Sequence, residues 1–163
     1  MEILKYKFIS ENEWFLPYVE DLKDYIDIES NILDQIKYMI YEAFGLSEPQ
    51  FTYPGYLYIL LDKGIVISIL FINDVKYEKQ LLSKYDIYGY YMYTLVTSQE
   101  YLGKGYMKLL IYHVIKDLHR EYGKKRMFYL EYEKSNKLLE EIYKKIGFYK
   151  IGDDDGHTIM MIV

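Results

Sequence analysis

The chain has 163 residues, 51% of them apolar and 28% charged, with a formal net charge of −5; these are the proportions of one globular domain, expected to span 1–163 around its own core. The absence of cysteine excludes disulfides, thiolate nucleophiles and cysteine-built zinc sites. His113, His119 and His157 lack ligand spacing, so no metal is expected. The acidic balance argues against nucleic acid as the main partner, because phosphate binding needs clustered basic residues.

Residues 2–9 alternate in polarity and predict a first strand. Lys5 and Lys7 interrupt that run, no stretch is long enough for a membrane span, and the expected location is the cytoplasm. From 12 to 44 the period becomes helical. Leu16, Val19, Leu22 and Ile26 form one stripe, and Ile32, Leu33, Ile36, Met39, Ile40 and Ala43 form a second. Two helices with a break near 27–30 are expected, the second stopped by Gly45 ahead of a loop bounded by Pro49 and Pro54. Strands are predicted at 56–61 and 65–72, joined at Asp62-Lys63-Gly64 with glycine where positive φ is needed. The charged run 75–84 suits a loop or one helical turn.

Residues 85–97 predict the longest strand. A helix at about 104–121 follows, with Met107, Leu110, Ile111, Val114 and Leu118 on one face and Gly123 at its end. A short strand at 127–133 leads to a helix with Ser135 as N-cap, carrying Leu138, Leu139, Ile142 and Ile146 and closed by Gly147. A last hairpin joins 148–151 to 158–163 across Asp153-Asp154-Asp155-Gly156. The order β-α-α-β-β-β-α-β-α-β-β predicts an α/β (α+β) fold, a central mixed sheet with helices on both faces. The 22 tyrosines, against 7 phenylalanines, suit half-buried sheet positions whose hydroxyls reach water. Tyrosines exposed on an edge strand would suit a homodimer.

The candidate chemistry begins at Gly103-Lys104-Gly105, between the long strand and the helix that follows it. Glycines let the backbone approach a ligand, and the unpaired N–H groups of a helix's first turn point at it with the helix dipole behind them. Lys104 and Lys108 would add charge for phosphates. Asn136 and Tyr143 are seven residues apart on the later helix, which puts them on nearly the same face about 10 Å apart along the axis.

The run Leu95-Val96-Thr97-Ser98-Gln99-Glu100-Tyr101-Leu102-Gly103-Lys104-Gly105-Tyr106-Met107 resembles motif A of the GNAT family of N-acetyltransferases. Asn136 through Tyr143 to Gly147-Phe148 resembles motif B, and the element order matches that fold along nearly the whole chain. The resemblance implies acetyl-CoA as cofactor. Its diphosphate would lie on the loop Leu102, Gly103, Lys104, Gly105, Tyr106, Met107 and Lys108. Its pantetheine arm would run along Leu95, Val96 and Thr97 and past Asn136, in a gap where that strand splays from 127–133. An exposed N–H in the gap would polarise the thioester carbonyl. Tyr143 would donate a proton to the departing thiolate; a phenol near 10 against a thiol near 8.5 makes that transfer nearly balanced.

Two positions depart from the family's Arg/Gln-x-x-Gly-x-Gly/Ala pattern. Leu102 supplies no side-chain donor, and Met107 stands where a small residue usually lets the diphosphate lie close, which implies weaker cofactor binding. The acceptor would be a small-molecule or peptide amine. It must be neutral to attack, so a base helps, and Asp86, Glu100, Glu131, Asp153 to Asp155 and His157 are the candidates, none singled out by spacing. A second reading is a catalytically silent member of the same fold that binds a ligand or a protein.

Overall fold

The computed structural model describes residues 1–9, 15–73, 89–123 and 127–162. Strands β1 (Glu2–Phe8), β2 (Gly55–Asp62), β3 (Ile65–Asn73), β4 (Gly89–Thr97), β5 (Met127–Glu133), β6 (Tyr149–Asp154) and β7 (His157–Ile162) form one sheet in the order β1-β2-β3-β4-β5-β7-β6. Neighbours are antiparallel except β4 and β5, which are parallel. A parallel pair needs a crossover, and the helix α2 (Tyr106–Tyr122) supplies it. Helices α1 (Ser30–Phe44) and α3 (Lys137–Ile146) complete the layers.

The sheet is covered on both faces, as expected for this mixed architecture. On β2, Tyr56, Tyr58 and Leu60 join the core beneath α2 and α3, while Leu57, Ile59 and Leu61 join the core beneath α1. Double burial explains why β2 and β3 are continuous apolar runs rather than alternating ones. The αL conformations of Lys63 and Gly64, at φ 50° and 80°, turn β2 into β3. No described helix is long and apolar enough to cross a membrane.

Tyrosine is used where the core meets its rim. Tyr58 is fully buried, yet its hydroxyl donates to Asp117 of α2 at 2.7 Å. Lys5 of β1 reaches the same carboxylate at 2.8 Å and also bonds Glu121. Burial by itself would raise the Asp117 carboxyl. Hydrogen bonds from Lys5 and Tyr58, with the Lys5 charge, overcome that and hold it below its usual value. A lowered folded value contributes stability above the unfolded carboxyl range, and that contribution disappears as pH falls through the folded value. Asp117→Ala should therefore cost about 1–3 kcal/mol at pH 7, because it leaves the Tyr58 hydroxyl buried without an acceptor. Thermal melts should show a drop of about 2–4 °C per kcal/mol for a chain of this size, with the gap to the parent narrowing below about pH 4. Equal melting temperatures at pH 7 would show that this network contributes nothing.

The helix expected from residue 12 is corrected by the structure. Residues 10–14 lie outside the described part; beyond them the chain forms only a six-residue 3-10 helix, Val19–Asp24. Pro17 sits inside the periodic run and disfavours helix in the residue before it. The backbone is also claimed by another partner: Val19 N–H donates to the Pro49 carbonyl (2.7 Å), and Phe51 N–H donates to the Pro17 carbonyl (3.2 Å). Val19, Leu22 and Ile26 are buried as the stripe implied, but Leu16 is 51% exposed. The 75–84 segment and residues 85–88 fall outside the described residues, so the described part of the long strand is the nine residues of β4. The second helix ends at Gly45 in the left-handed conformation, as expected.

Candidate active site

The site is a fork in the sheet. Among the described residues, β4 and β5 pair only at Gly89↔Met127, Tyr90↔Phe128 and Tyr91↔Tyr129. A Cβ at Gly89 would lie 2.0 Å from the Met127 carbonyl oxygen, so only glycine permits this contact. Beyond Tyr91 the strands part. β4 continues against β3 alone and β5 against β7 alone. A bulge at Tyr93, where Phe71↔Thr94 is followed by Ile72↔Met92, falls at the point of divergence and bends β4 there.

The bonding pattern shows which main-chain groups face the opening. Ser98 N–H donates to the Ile67 carbonyl, and the Ser68 hydroxyl donates to the Val96 carbonyl. In an antiparallel ladder the direction alternates, so Val96 turns its main chain to β3 while Leu95 and Thr97 turn theirs to the gap. On β5, Lys134 N–H donates to the Gly156 carbonyl, and the same alternation turns Glu131 and Glu133 inward from the other wall. The resulting cleft has a volume of about 640 Å³ and is lined by Leu95, Val96, Thr97, Leu102, Met107, Asn136 and Tyr143, among others.

At one end the chain leaves β4 through a short 3-10 turn, Gln99–Tyr101, into Gly103-Lys104-Gly105. Gly103 and Gly105 have φ of 76° and 82°, and a Cβ at either would meet no atom within 4 Å. The backbone there is left-handed with open space over it. The helix bond from Leu109 N–H to the Gly105 carbonyl leaves the amides of Tyr106, Met107 and Lys108 ahead of it without helical partners. The first turn of α2 carries no acidic residue. Lys104 lies over the Tyr101 ring and Lys108 over the Tyr112 ring, and neither forms an ion pair among the described residues. Leu102 is 57% exposed and Met107 half-buried.

On α3 the N-cap is Asn136, not Ser135. Its Oδ1 accepts from Leu139 N–H at 3.2 Å, which leaves the side-chain NH2 as a donor. Tyr143 is 6% exposed, with its ring against Tyr132 and Phe148 at centroid distances of 5.7 and 5.8 Å, and it still lines the cleft. Burial, with a smaller contribution from Tyr132, pushes its phenol up to about 12. That corrects the near-balanced proton transfer expected from an ordinary phenol. Tyr132 is buried in the same wall, its hydroxyl beside its cross-strand neighbour Thr158, which donates to Asp153.

The candidate bases separate clearly. Glu131 and His157 line the cleft. Glu131 accepts from the Tyr91 hydroxyl at 2.9 Å, and burial together with that carboxylate pushes the Tyr91 phenol far above its ordinary value. Tyr91 is thus a permanent donor that orients Glu131. Asp153 is committed to Lys134, Lys150 and Thr158, Asp155 occupies the β6–β7 turn with φ 47°, and Glu100 stands exposed on the 3-10 turn. Asp86 lies outside the described residues. Glu42 and Phe44, at the end of α1, also line the cleft; sequence reasoning passed over them because a helix end gives no sign of what it faces.

The sequence model described as the Acetyltransferase (GNAT) family matches residues 33–148, from α1 through α3. The chain belongs to the GNAT acetyltransferase family. Solved structures share the GNAT fold at low identity. An acyl-CoA N-acyltransferase from Pseudomonas aeruginosa superposes with a TM-score of 0.60 at 15% identity, covering 92% of this chain and 98% of the other. The ribosomal-protein-S18-alanine N-acetyltransferase of Escherichia coli gives 0.59 at 16%, covering 84% and 90%. A GNAT acetyltransferase from Listeria monocytogenes gives 0.53 at 17%, covering 88% and 74%. No curated protein matched this GNAT chain.

Proposed function

We propose that the protein is an N-acetyltransferase that moves the acetyl group of acetyl-CoA to a primary amine by direct attack, with no acyl-enzyme. The observation that carries this reading is the single cleft that joins an open β4 edge, the unpaired amides opening α2 and the Tyr143 phenol. The reaction forms an N–C bond, breaks a C–S bond and moves one proton from nitrogen to sulfur.

Acetyl-CoA supplies the activated acetyl group, and the residues present fit it. The amides of Tyr106, Met107 and Lys108, with the backbone of Gly103 to Gly105, bind the diphosphate, and Lys104 and Lys108 add charge. Leu102 and Met107 bring only apolar contact. The main chain of Leu95, Val96 and Thr97 and the Asn136 amide hold the pantetheine arm. An inward N–H of β4 polarises the thioester carbonyl. Glu131, oriented by Tyr91, accepts the amine's proton.

Tyr143 acts as a hydrogen-bond donor to sulfur. From about 12 to a thiol near 8.5, full transfer would be uphill by about 5 kcal/mol. The phenol therefore keeps its proton and stabilises the departing thiolate by hydrogen bonding, while Glu131 holds the proton from nitrogen and solvent protonates the released thiolate. Because acetyl-CoA is a cytoplasmic metabolite, this reading puts the enzyme in the cytoplasm.

Two measurements test it. Acetyl-CoA at about 100 times its Kd should stabilise the protein by about 2.7 kcal/mol, a rise of several degrees in melting temperature. Coenzyme A release should appear with at least one member of an amine panel. Binding without release from any amine would leave the silent reading standing; no thermal shift at millimolar acetyl-CoA would remove the cofactor site.

A further inference from the structure

The β3–β4 ladder closes on a side chain. Among the described residues its paired register ends at Ile72↔Met92, and one residue further the Tyr91 N–H donates to Oδ1 of Asn73 at 2.7 Å. Asn73 is fully buried. Its main chain is pressed against β2 at Gly55, where a Cβ would fall 2.0 Å from the Ile72 carbonyl oxygen and 2.7 Å from the Asn73 Cα. The amide is thus held from behind and reaches forward to β4. Its Nδ2 has no hydrogen-bond partner among the described residues, so an apolar residue here would spare the fold an unmade donor. A polar group kept in a buried position on those terms calls for a reason.

Tyr91 supplies that reason. Its ring stacks on Tyr129 with centroids 4.9 Å apart, and its hydroxyl donates to Glu131 at 2.9 Å. The bulge at Tyr93 interrupts the regular ladder just beyond it, so the Asn73 bond is what ties the Tyr91 main chain to β3 at the fork. A tilt of that main chain is magnified along the ring and reaches Glu131 as a displaced donor. We propose that Asn73 is a positioning residue for acetyl transfer: it fixes the Tyr91 main chain and so aims the Tyr91 hydroxyl at Glu131, without itself lining the cleft. This rests on the N-acetyltransferase reading, with Glu131 as proton acceptor.

Asn73→Leu, Tyr91→Phe and the double variant test it, with coenzyme A release read on whichever of propylamine, 1,4-diaminobutane, alanine amide and Nα-acetyl-lysine amide the parent uses best. Asn73→Leu removes the acceptor and the unmade donor together at similar size, and Asn73→Val is the second choice should it misfold. Asn73→Leu should lower kcat about tenfold, a fraction of the loss of about 100-fold that a misplacement of about 1 Å brings. KM for acetyl-CoA should stay within about twofold. Added to Tyr91→Phe, the same substitution should cost at most about twofold more, because the link it acts through is already cut. A merely structural role would lower the rate equally in both backgrounds. That outcome, an unchanged kcat in Asn73→Leu, a parental kcat in Glu131→Gln, or loss of the fold in both Asn73 variants would overturn the proposal while the parent's own turnover upholds the N-acetyltransferase reading. A parent that releases coenzyme A with no amine of a broad panel would remove both.

Discussion

Tyr143→Phe is expected to lower kcat for coenzyme A release by about 100-fold, the low end of what a positioned proton donor contributes, while KM for acetyl-CoA stays within about twofold. The phenol does its work on charge that appears at sulfur only as the bond breaks, so its removal acts on turnover rather than on binding. The melting temperature should move little, because no hydrogen bond to a described residue is lost and the ring stays packed between Tyr132 and Phe148. The pH profile carries a second test. A phenol at about 12 is in its donating form throughout the working range and is lost only as pH rises through that value. No falling alkaline limb below about pH 10 should therefore trace to Tyr143. A rate constant equal to that of the parent would remove this residue from the mechanism.

Gly105→Val is expected to weaken acetyl-CoA binding at least tenfold by titration calorimetry. Two effects add. At φ 82° a β-branched residue is strained by about 1–3 kcal/mol and pulls the turn toward another conformation. Its branches also occupy the open space above the α2 amides, where the diphosphate is to lie. Gly105→Ala carries the strain with far less bulk and should cost less, so the difference between the two isolates the steric part. Melting curves for both variants separate loss of fold from loss of site. Affinity retained in Gly105→Val would show that the diphosphate does not rest on this turn.

Much of the architecture was legible where one period dominated. Ile32, Leu33, Ile36, Met39 and Ile40 announce α1, and all five are buried. The glycine signals at 45, 64, 103, 105 and 147 all mark positive-φ residues. The stretch before α1 was misread because hydrophobic spacing says what is buried, not which backbone partner is available; Pro17, bound to Phe51 through its carbonyl, decides against a helix. The N-cap shifted by one residue, from Ser135 to Asn136, since both types cap well and only the bond to Leu139 separates them. In the cleft, the glycine loop and the Asn136–Tyr143 spacing were readable because they are local. The Tyr91–Glu131 bond was not: its partners are 40 residues apart and meet only because β4 and β5 run side by side.

The contact of Gly89 with the Met127 carbonyl has a mechanical consequence. It lies two residues before the fork at Tyr91↔Tyr129, in the short stretch where the β1-to-β4 block meets the β5-β7-β6 block, and it closes to a distance that not even one methyl group could share. A wedge as small as alanine would swing one block against the other and widen the mouth far from the insertion. The span between Tyr143 and the β4 amides would thus be set by a residue that touches neither, and drift in acyl-chain size tolerance would begin at that contact.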